Sequence, residues 1–139
     1  KHPQYRQQFR GRHIWSEEEA EAELRSQGAT AAQQSFSWSA VHSEMRKALA
    51  WIYHASREKL ERRPGYFDLL GVDFMLDADL GLHLLEVNSN PAMFFDSSPT
   101  LEELVPALIG TTLDTVFKAQ RDTAASAAEL DVPPPFELL

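Results

Sequence analysis

The sequence reads FDLLGVDFMLDADLGLHLLEVN over residues 67–88. In residues 67–76 most side chains are apolar at odd-numbered and even-numbered positions alike. This pattern is typical of a strand that is buried on both faces. The Asp-Ala-Asp stretch at residues 77–79 favours a turn, and residues 82–88 have the pattern of a returning strand. The stretch therefore predicts an antiparallel β-hairpin.

Three polar residues stand inside these strands, where apolar side chains are expected. Asp73 lies in the first strand, and Glu86 and Asn88 lie two positions apart in the second, so these two point to one face. A hairpin that turns around Asp79 brings Asp73 near Glu86. Two neighbouring carboxylates repel each other, and a divalent cation relieves that repulsion. Hard oxygen donors that leave room for phosphate oxygens favour Mg²⁺.

A second interpretation of the same residues stays open at this point. Asp73 and Glu86 are also typical of an edge hairpin with one solvated face. In favour of the metal site, strand alternation places Leu82 and Leu84 on the face of Glu86. Gly71 lies beside Asp73, where a side chain would crowd anything that approaches the strand.

Helices are predicted before the hairpin. Ser16 and Glu19 form a capping box that starts a helix, and Gly28 is expected to end it in the left-handed C-cap conformation. Residues 29–38 are small and polar, which indicates a linker. Residues 38–61 carry one apolar stripe at steps of three and four and predict the longest helix before the hairpin.

Another helix is predicted after the hairpin. Ser98-Pro99 favours a helix start with proline at the first position, and Pro106 is expected to kink or restart the helix. Residues 122–139 are rich in Ala, Pro and acidic side chains, which predicts a tail without packed structure. The fold class is therefore α+β, a hairpin packed with helices.

Composition narrows the class of protein. The chain has 139 residues, enough for one domain, and no apolar run long enough for a membrane span. It has no cysteine, which excludes disulfides and thiolate metal sites. Residues 1–65 hold 11 basic and 8 acidic side chains, and residues 66–139 hold 2 basic and 13 acidic ones. The acidic second half argues against nucleic acid and suits divalent cations, although solubility alone also explains such an excess.

The hairpin sequence resembles a known family. FDLLGVDFMLD (67–77) with LLEVNSNPA (84–92) is similar to the last conserved block of the tubulin tyrosine ligase-like family. The D-x12-E-x-N spacing also resembles the metal ligands of ATP-grasp enzymes, and the NSNPA form looks nearest to the glycine-adding branch. The resemblance implies that residues 1–121 are the C-terminal part of an ATP-grasp fold, followed by the tail at 122–139.

The resemblance also implies a function. It is that of an ATP- and Mg²⁺-dependent ligase that adds glycine or glutamate to tubulin or a related protein through an acyl phosphate. Asp73, Glu86 and Asn88 would bind Mg²⁺, and Lys1 and Asn88 would contact the nucleotide. The implied partners are microtubules, through the acidic C-terminal tail of tubulin, and a free amino acid, with no nucleic acid and no membrane. The implied location is the cytoplasm and its cytoskeleton, including the cilium or flagellar axoneme.

Two departures from the family pattern keep alternatives open. The family usually has a Lys-Pro-Trp-like approach to the second strand, whereas residues 81–83 here are Gly-Leu-His. Alternation puts His83 on the face opposite Glu86, so we interpret it as structural. The parts that grip adenine and the phosphates are missing, so the 139 residues alone are expected to be inactive. The alternatives are a catalytically inactive microtubule-associated module and a small α+β domain with an incidental acidic hairpin.

Overall fold

The computed structural model describes residues 13–61, 63, 65–121, 131–134 and 136–139. These residues fall into two compact units. The hairpin unit contains residues 13–60 and 69–92, and the helix unit contains the described residues of 61–68 and 93–139. Helices and an antiparallel sheet are both present, which confirms the predicted α+β class. The predicted division between a domain at 1–121 and a tail stays a prediction.

Helix α1 (Glu17–Gln27) begins at the predicted capping box. Ser16 Oγ accepts the backbone N–H of Glu19 at 3.2 Å, and the Glu19 carboxylate accepts the backbone N–H of Ser16 at 2.8 Å. Gly28 follows the helix, but its φ is −59°, so the predicted left-handed conformation is wrong. Space explains this glycine instead, because a Cβ at Gly28 would lie 2.5 Å from the carbonyl oxygen of Leu24.

A short helix interrupts the predicted linker. Helix α2 (Ala31–Gln34) has its own capping box, in which Thr30 and Gln33 satisfy each other's backbone N–H groups. Helix α3 (Trp38–Ser56) follows, with Ser37 as its N-cap. The linker prediction for residues 29–38 therefore missed a Thr-x-x-Gln signal that is visible in the sequence.

Helix α3 is shorter than predicted. It ends at Ser56 rather than at Glu61. The amide of Arg57 still bonds to the Tyr53 carbonyl, but the amides of Lys59 and Leu60 both bond to the one carbonyl of Ser56, so the regular helical series is interrupted there. Its predicted apolar stripe is present, with Val41 buried and Met45 half-buried.

The sheet has two antiparallel strands, β1 (Gly71–Leu76) and β2 (Leu82–Asn88). Strand β1 starts later than predicted, because its first residue pairs with the last residue of β2 and residues 67–70 have no partner. Helix α3 packs against β2. Burial of both sheet faces was a wrong prediction: Met75, Leu84 and Leu85 are 49%, 47% and 57% exposed.

The helix unit is built around α4 (Pro99–Arg121). Ser98 Oγ accepts the backbone N–H of Leu101 at 3.2 Å, which caps the helix at the predicted start. The helix continues through Pro106, so the predicted restart does not occur. The described tail residues, 131–134 and 136–139, contain neither helix nor strand. Within the described chain, no helix combines the length and the apolarity that crossing a bilayer requires.

Candidate functional site

The three predicted metal ligands lie together on the sheet. Asp73 is directly opposite Glu86, and Gly71 is opposite Asn88, so Asp73, Glu86 and Asn88 share one face. The Asn88 amide Nδ2 donates a hydrogen bond of 3.0 Å to Glu86 Oε1. Asp73 and Glu86 are exposed and Asn88 is half-buried. The hairpin thus brings the oxygen donors together as expected, while their role as metal ligands stays a prediction.

A β-bulge makes this pairing possible. We call residues 71–73 with 86–88 the site half of the hairpin, and residues 74–76 with 82–84 the turn half. In the turn half, Phe74 pairs with Leu84, and continuing that register would place Leu85 opposite Asp73. The register instead shifts between Asp73 and Phe74, leaving Leu85 without a partner and bringing Glu86 opposite Asp73.

The bulge corrects three predicted side-chain directions. Met75 pairs with His83, so His83 lies on the face of Asp73 and Glu86, and the predicted opposite face is wrong. Leu82 and Leu84 lie on the other face, which also reverses the prediction. The extra residue in β2 interrupts the simple alternation on which those predictions depended.

The sequence did contain a signal for the bulge. The midpoint between Asp73 and Glu86 falls between residues 79 and 80, whereas the turn is centred on residue 79. A symmetric turn there pairs Asp73 with residue 85. Asp73 is instead paired with Glu86, one residue further along, so the second strand must contain one extra residue between the turn and Glu86.

The turn is closed by one carboxylate. Asp77 Oδ1 accepts the backbone N–H groups of Asp79 at 2.9 Å and Gly81 at 2.8 Å. Asp77 Oδ2 lies 2.7 Å from His83 Nε2. Leu80 has a φ of 67°, the left-handed conformation that tight turns require. We call these contacts of the Asp77 side chain the turn clamp. Residue 77 was predicted only as part of a turn, without these contacts.

The turn clamp also changes the acidity of Asp77. The hydrogen bond with His83 and then the backbone N–H of Gly81 lower the pKa of Asp77 below its usual value. Each of these contacts favours the ionised carboxylate over the protonated one. The carboxylate therefore holds the turn best when it is charged.

Gly71 has a steric role beside the site. A Cβ on this residue would lie 2.8 Å from the Cβ of Pro91 and 3.8 Å from the Cβ of Asn88. From the sequence we expected the glycine to leave room for an approaching group. The group that comes close is Pro91, just after β2, so Gly71 lets the chain after Asn88 fold back against β1.

The two sheet faces of the hairpin unit differ in chemistry. An open cavity of about 670 Å³ lies between α3 and the sheet, and Asp73 is its one charged lining residue. The other lining side chains are apolar: Met45, Leu49, Leu70, Val72, Phe74 and Leu85. The polar face is the one that Asp73 shares with Glu86 and Asn88 through strand pairing, and it is the side on which a cation would bind. Asp73 borders both this face and the cavity.

The donor set suits a cation that shares its coordination with a ligand. Among the described residues, no group of three or more His, Cys, Asp or Glu side chains is arranged to bind a metal. The candidate site instead has two carboxylates and one amide, and Asn88 Oδ1 is the amide atom that could bind a cation. Mg²⁺ often binds through one or two carboxylates and completes its shell with phosphate oxygens. Lys1, the predicted nucleotide contact, lies outside the described residues.

Comparisons with known proteins cover most of the chain. The sequence model of the Tubulin-tyrosine ligase family matches residues 1–125. The human protein named inactive polyglycylase TTLL10 is 37% identical over 81 residues, 58% of this chain and 12% of the relative. The crab-eating macaque (Macaca fascicularis) protein polyglycylase TTLL10 is 39% identical over 74 residues, 53% of this chain and 12% of the relative.

A more distant relative matches a longer stretch. The Drosophila melanogaster tubulin glycylase 3A is 35% identical over 97 residues, 65% of this chain and 10% of the relative. The chain thus spans about a tenth of the length of the curated relatives it matches. No solved structure matches it.

Proposed function

The chain belongs to the tubulin-tyrosine ligase family, and from that premise we propose that it supplies the metal-binding part of an ATP- and Mg²⁺-dependent ligase. The ligase adds an amino acid to tubulin or a related protein, and the chain is the C-terminal part of its ATP-grasp fold. The activity is that of the full-length protein.

One observation carries the proposal: Asp73 lies opposite Glu86, and Asn88 is hydrogen-bonded to Glu86 on the same face. These three residues would hold Mg²⁺ through carboxylate and amide oxygens. The chemistry that Mg²⁺ supplies in nucleotide sites is neutralisation of charge on the transferring phosphoryl group. The pairing of β1 and β2 brings the donors together before a cation binds, which would lower the entropic cost of binding.

The reaction balances as two transfers. The γ-phosphoryl group of ATP passes to a side-chain carboxylate of the acceptor protein, giving an acyl phosphate and ADP. The amino group of a free amino acid then attacks the acyl carbon and displaces inorganic phosphate, and an isopeptide bond forms. The attacking neutral amino group loses one proton as the bond forms and keeps one hydrogen as the amide N–H. Within this scheme, Asp73, Glu86 and Asn88 orient the nucleotide phosphates.

The relatives favour glycine over glutamate as the added amino acid. The names of the two TTLL10 relatives contain the word polyglycylase, and the fruit-fly relative is named a tubulin glycylase. Tubulin in microtubules, through its acidic C-terminal tail, is accordingly the proposed acceptor, with the cytoskeleton of the cytoplasm, cilium or axoneme as the location. Lys1 is proposed as a further nucleotide contact.

A second candidate function is a catalytically inactive module that keeps the fold and binds microtubules. The observation that favours it is the 37% identity with a human relative whose name begins with the word inactive. A titration of the full-length protein with Mg-ATP separates the two candidates. Binding of Mg-ATP supports the ligase, and its absence supports the inactive module.

The decisive variant is Glu86→Gln in the full-length protein, assayed for transfer of labelled glycine to tubulin. We expect the rate to fall at least about a hundredfold, because charge neutralisation at a transferring phosphoryl group is worth several kcal/mol. The unfolding midpoint should stay unchanged, since Glu86 is exposed and the substitution keeps its shape.

The matched control is Glu44→Gln, which removes an equal charge from an exposed position on α3, where the carboxylate bonds Lys47 at 2.7 Å. This variant should keep the wild-type rate. Normal glycine transfer by Glu86→Gln would show that the assigned metal site is wrong.

A further inference from the structure

The registers of the site half and the turn half differ by one residue. An alternative pairing of the same two strands, with one register throughout, is also conceivable, and we call it the regular register. If the site-half register continued to the turn, Leu84 would pair with Met75 and His83 would pair with Leu76. Such a ladder has no bulge and no unpaired residue, whereas the observed ladder leaves Leu85 unpaired. An unpaired strand residue disrupts the local ladder, so a further interaction must favour the observed register.

The turn clamp distinguishes the two registers. Asp77 and His83 lie on the same sheet face in the observed register, and His83 Nε2 reaches Asp77 Oδ2 at 2.7 Å. In the regular register, His83 would point to the opposite face and lose this contact. The backbone contacts of Asp77 with Asp79 and Gly81 also fix a turn centred on residue 79. The clamp therefore stabilises only the bulged register.

The register decides what stands next to the carboxylates. On the site face, the pair that follows Asp73 and Glu86 is Met75 with His83. In the regular register, Leu84 would take the place of His83 on that face. A branched apolar side chain would then stand beside the two carboxylates, where it disfavours the solvated, charged environment that a cation and its phosphates need.

We propose that Asp77 and His83 are positioning residues for the Asp73–Glu86–Asn88 site: they hold the bulged register that keeps Leu84 off the site face. Bulges next to functional sites are known to re-aim a side chain in this way. Gly81 belongs to the same device, because a Cβ there would lie 2.8 Å from Asp77 Oδ2. The effect on cation binding rests on the proposed metal site, whereas the effect on the register does not.

The test compares Asp77→Ala with wild type in the 139-residue chain, using Mn²⁺ as the probe. Backbone NOEs between Met75 and His83 report the bulged register, and NOEs between Met75 and Leu84 report the regular one. We expect Asp77→Ala to lose the NOEs between Met75 and His83 and to gain those between Met75 and Leu84. It should also weaken Mn²⁺ binding about tenfold, a usual cost of losing a supporting residue around a metal. The control is Asp79→Asn, which changes the same turn but leaves the clamp intact, and it should match wild type.

Two further variants separate positioning from general stability. His83→Gln keeps a side-chain N–H donor for Asp77. It should therefore preserve the backbone NOEs between Met75 and residue 83 better than His83→Leu does. Deleting Leu85 removes the extra residue and merges the two registers, so that Asp73 still faces Glu86 and Met75 still faces His83. In that background, Asp77→Ala should change neither the NOEs nor the Mn²⁺ affinity by more than about threefold.

The outcomes distinguish this inference from the proposed function. If wild type binds Mn²⁺ and Asp77→Ala keeps both the affinity and the Met75–His83 NOEs, the inference is overturned and the metal site survives. If Asp77→Ala weakens Mn²⁺ binding equally with and without Leu85, Asp77 acts through stability and the inference is also overturned. If wild type binds no Mn²⁺ but Asp77→Ala still changes to the regular register, the role of Asp77 in setting the register is supported and the proposed metal site is wrong.

Discussion

The site half and the turn half of the hairpin use the same two strands but are held by different interactions. The turn half is fixed locally, by one carboxylate that contacts Asp79, Gly81 and His83. The site half has a single side-chain contact of its own among the described hydrogen bonds, from Asn88 to Glu86. The turn therefore sets the register of the turn half. The bulge at Leu85 shifts the register by one residue, so that Glu86 rather than Leu85 lies opposite Asp73. The sheet face that a residue occupies thus depends on the turn and the bulge together.

The largest effect should come from a deletion inside the site half itself. Deleting Val87 moves Asn88 to the opposite face, because side chains alternate along a strand and a one-residue shift reverses them. We expect Mn²⁺ affinity to fall at least about a hundredfold, more than for the loss of a supporting residue. Isothermal titration of the 139-residue chain measures this.

Deleting Leu85 is the matched control in the same strand. It removes the unpaired residue and leaves every pair of both halves in place, so Mn²⁺ affinity should stay within about threefold of wild type. Equal losses in the two deletions would contradict the pairing described for the site half.

The next effect concerns the close approach at the far end of the site half. Gly71→Ala places a Cβ 2.8 Å from that of Pro91, and such overpacking should lower the free energy of unfolding by about 1–3 kcal/mol. Chemical denaturation followed by circular dichroism measures the change.

Gly110→Ala provides a control of opposite sign. Gly110 lies within α4, and a Cβ there would meet nothing within 4 Å. Replacing this helical glycine should stabilise the chain by about 0.5–1 kcal/mol. Destabilisation by both substitutions would show that the contact with Pro91 is not the cause at Gly71.

The smallest effect is a pH dependence of the turn half. The pKa of Asp77 is lowered in the folded chain, chiefly by His83, so its stabilising contribution is fully present above the unfolded pKa of about 3.9. That contribution is lost as the pH falls through the lower, folded pKa. The stability difference between wild type and Asp77→Asn should therefore be present above about pH 4 and disappear in strong acid.

Denaturation curves at a series of pH values measure this difference. Asp79→Asn, in the same turn, should follow wild type throughout. A wild-type advantage over Asp77→Asn that persists undiminished in strong acid would contradict the charged clamp.

Local signals in the sequence predicted most elements. The capping box at Ser16 and the proline at residue 99 placed the starts of α1 and α4 correctly, because each depends on side chains within one helical turn. Ends were predicted less well. Helix α3 stops five residues before the expected position, and Gly28 is required by a contact with Leu24 rather than by its own φ.

The sequence alone is enough to assign Asp73, Glu86 and Asn88 to one hairpin, since the spacing of the two strands around a turn allows little else. Which neighbours share their face follows only from the strand pairing of the folded hairpin. Whether His83 or Leu84 lies on the site face depends on the unpaired residue Leu85. Leu85 is unpaired because the Asp77 carboxylate holds a turn centred on residue 79, whereas the pairing of Asp73 with Glu86 alone would centre the turn between residues 79 and 80. Alternation describes a single strand, whereas the relation between two strands depends on hydrogen bonds that form only when the chain has folded.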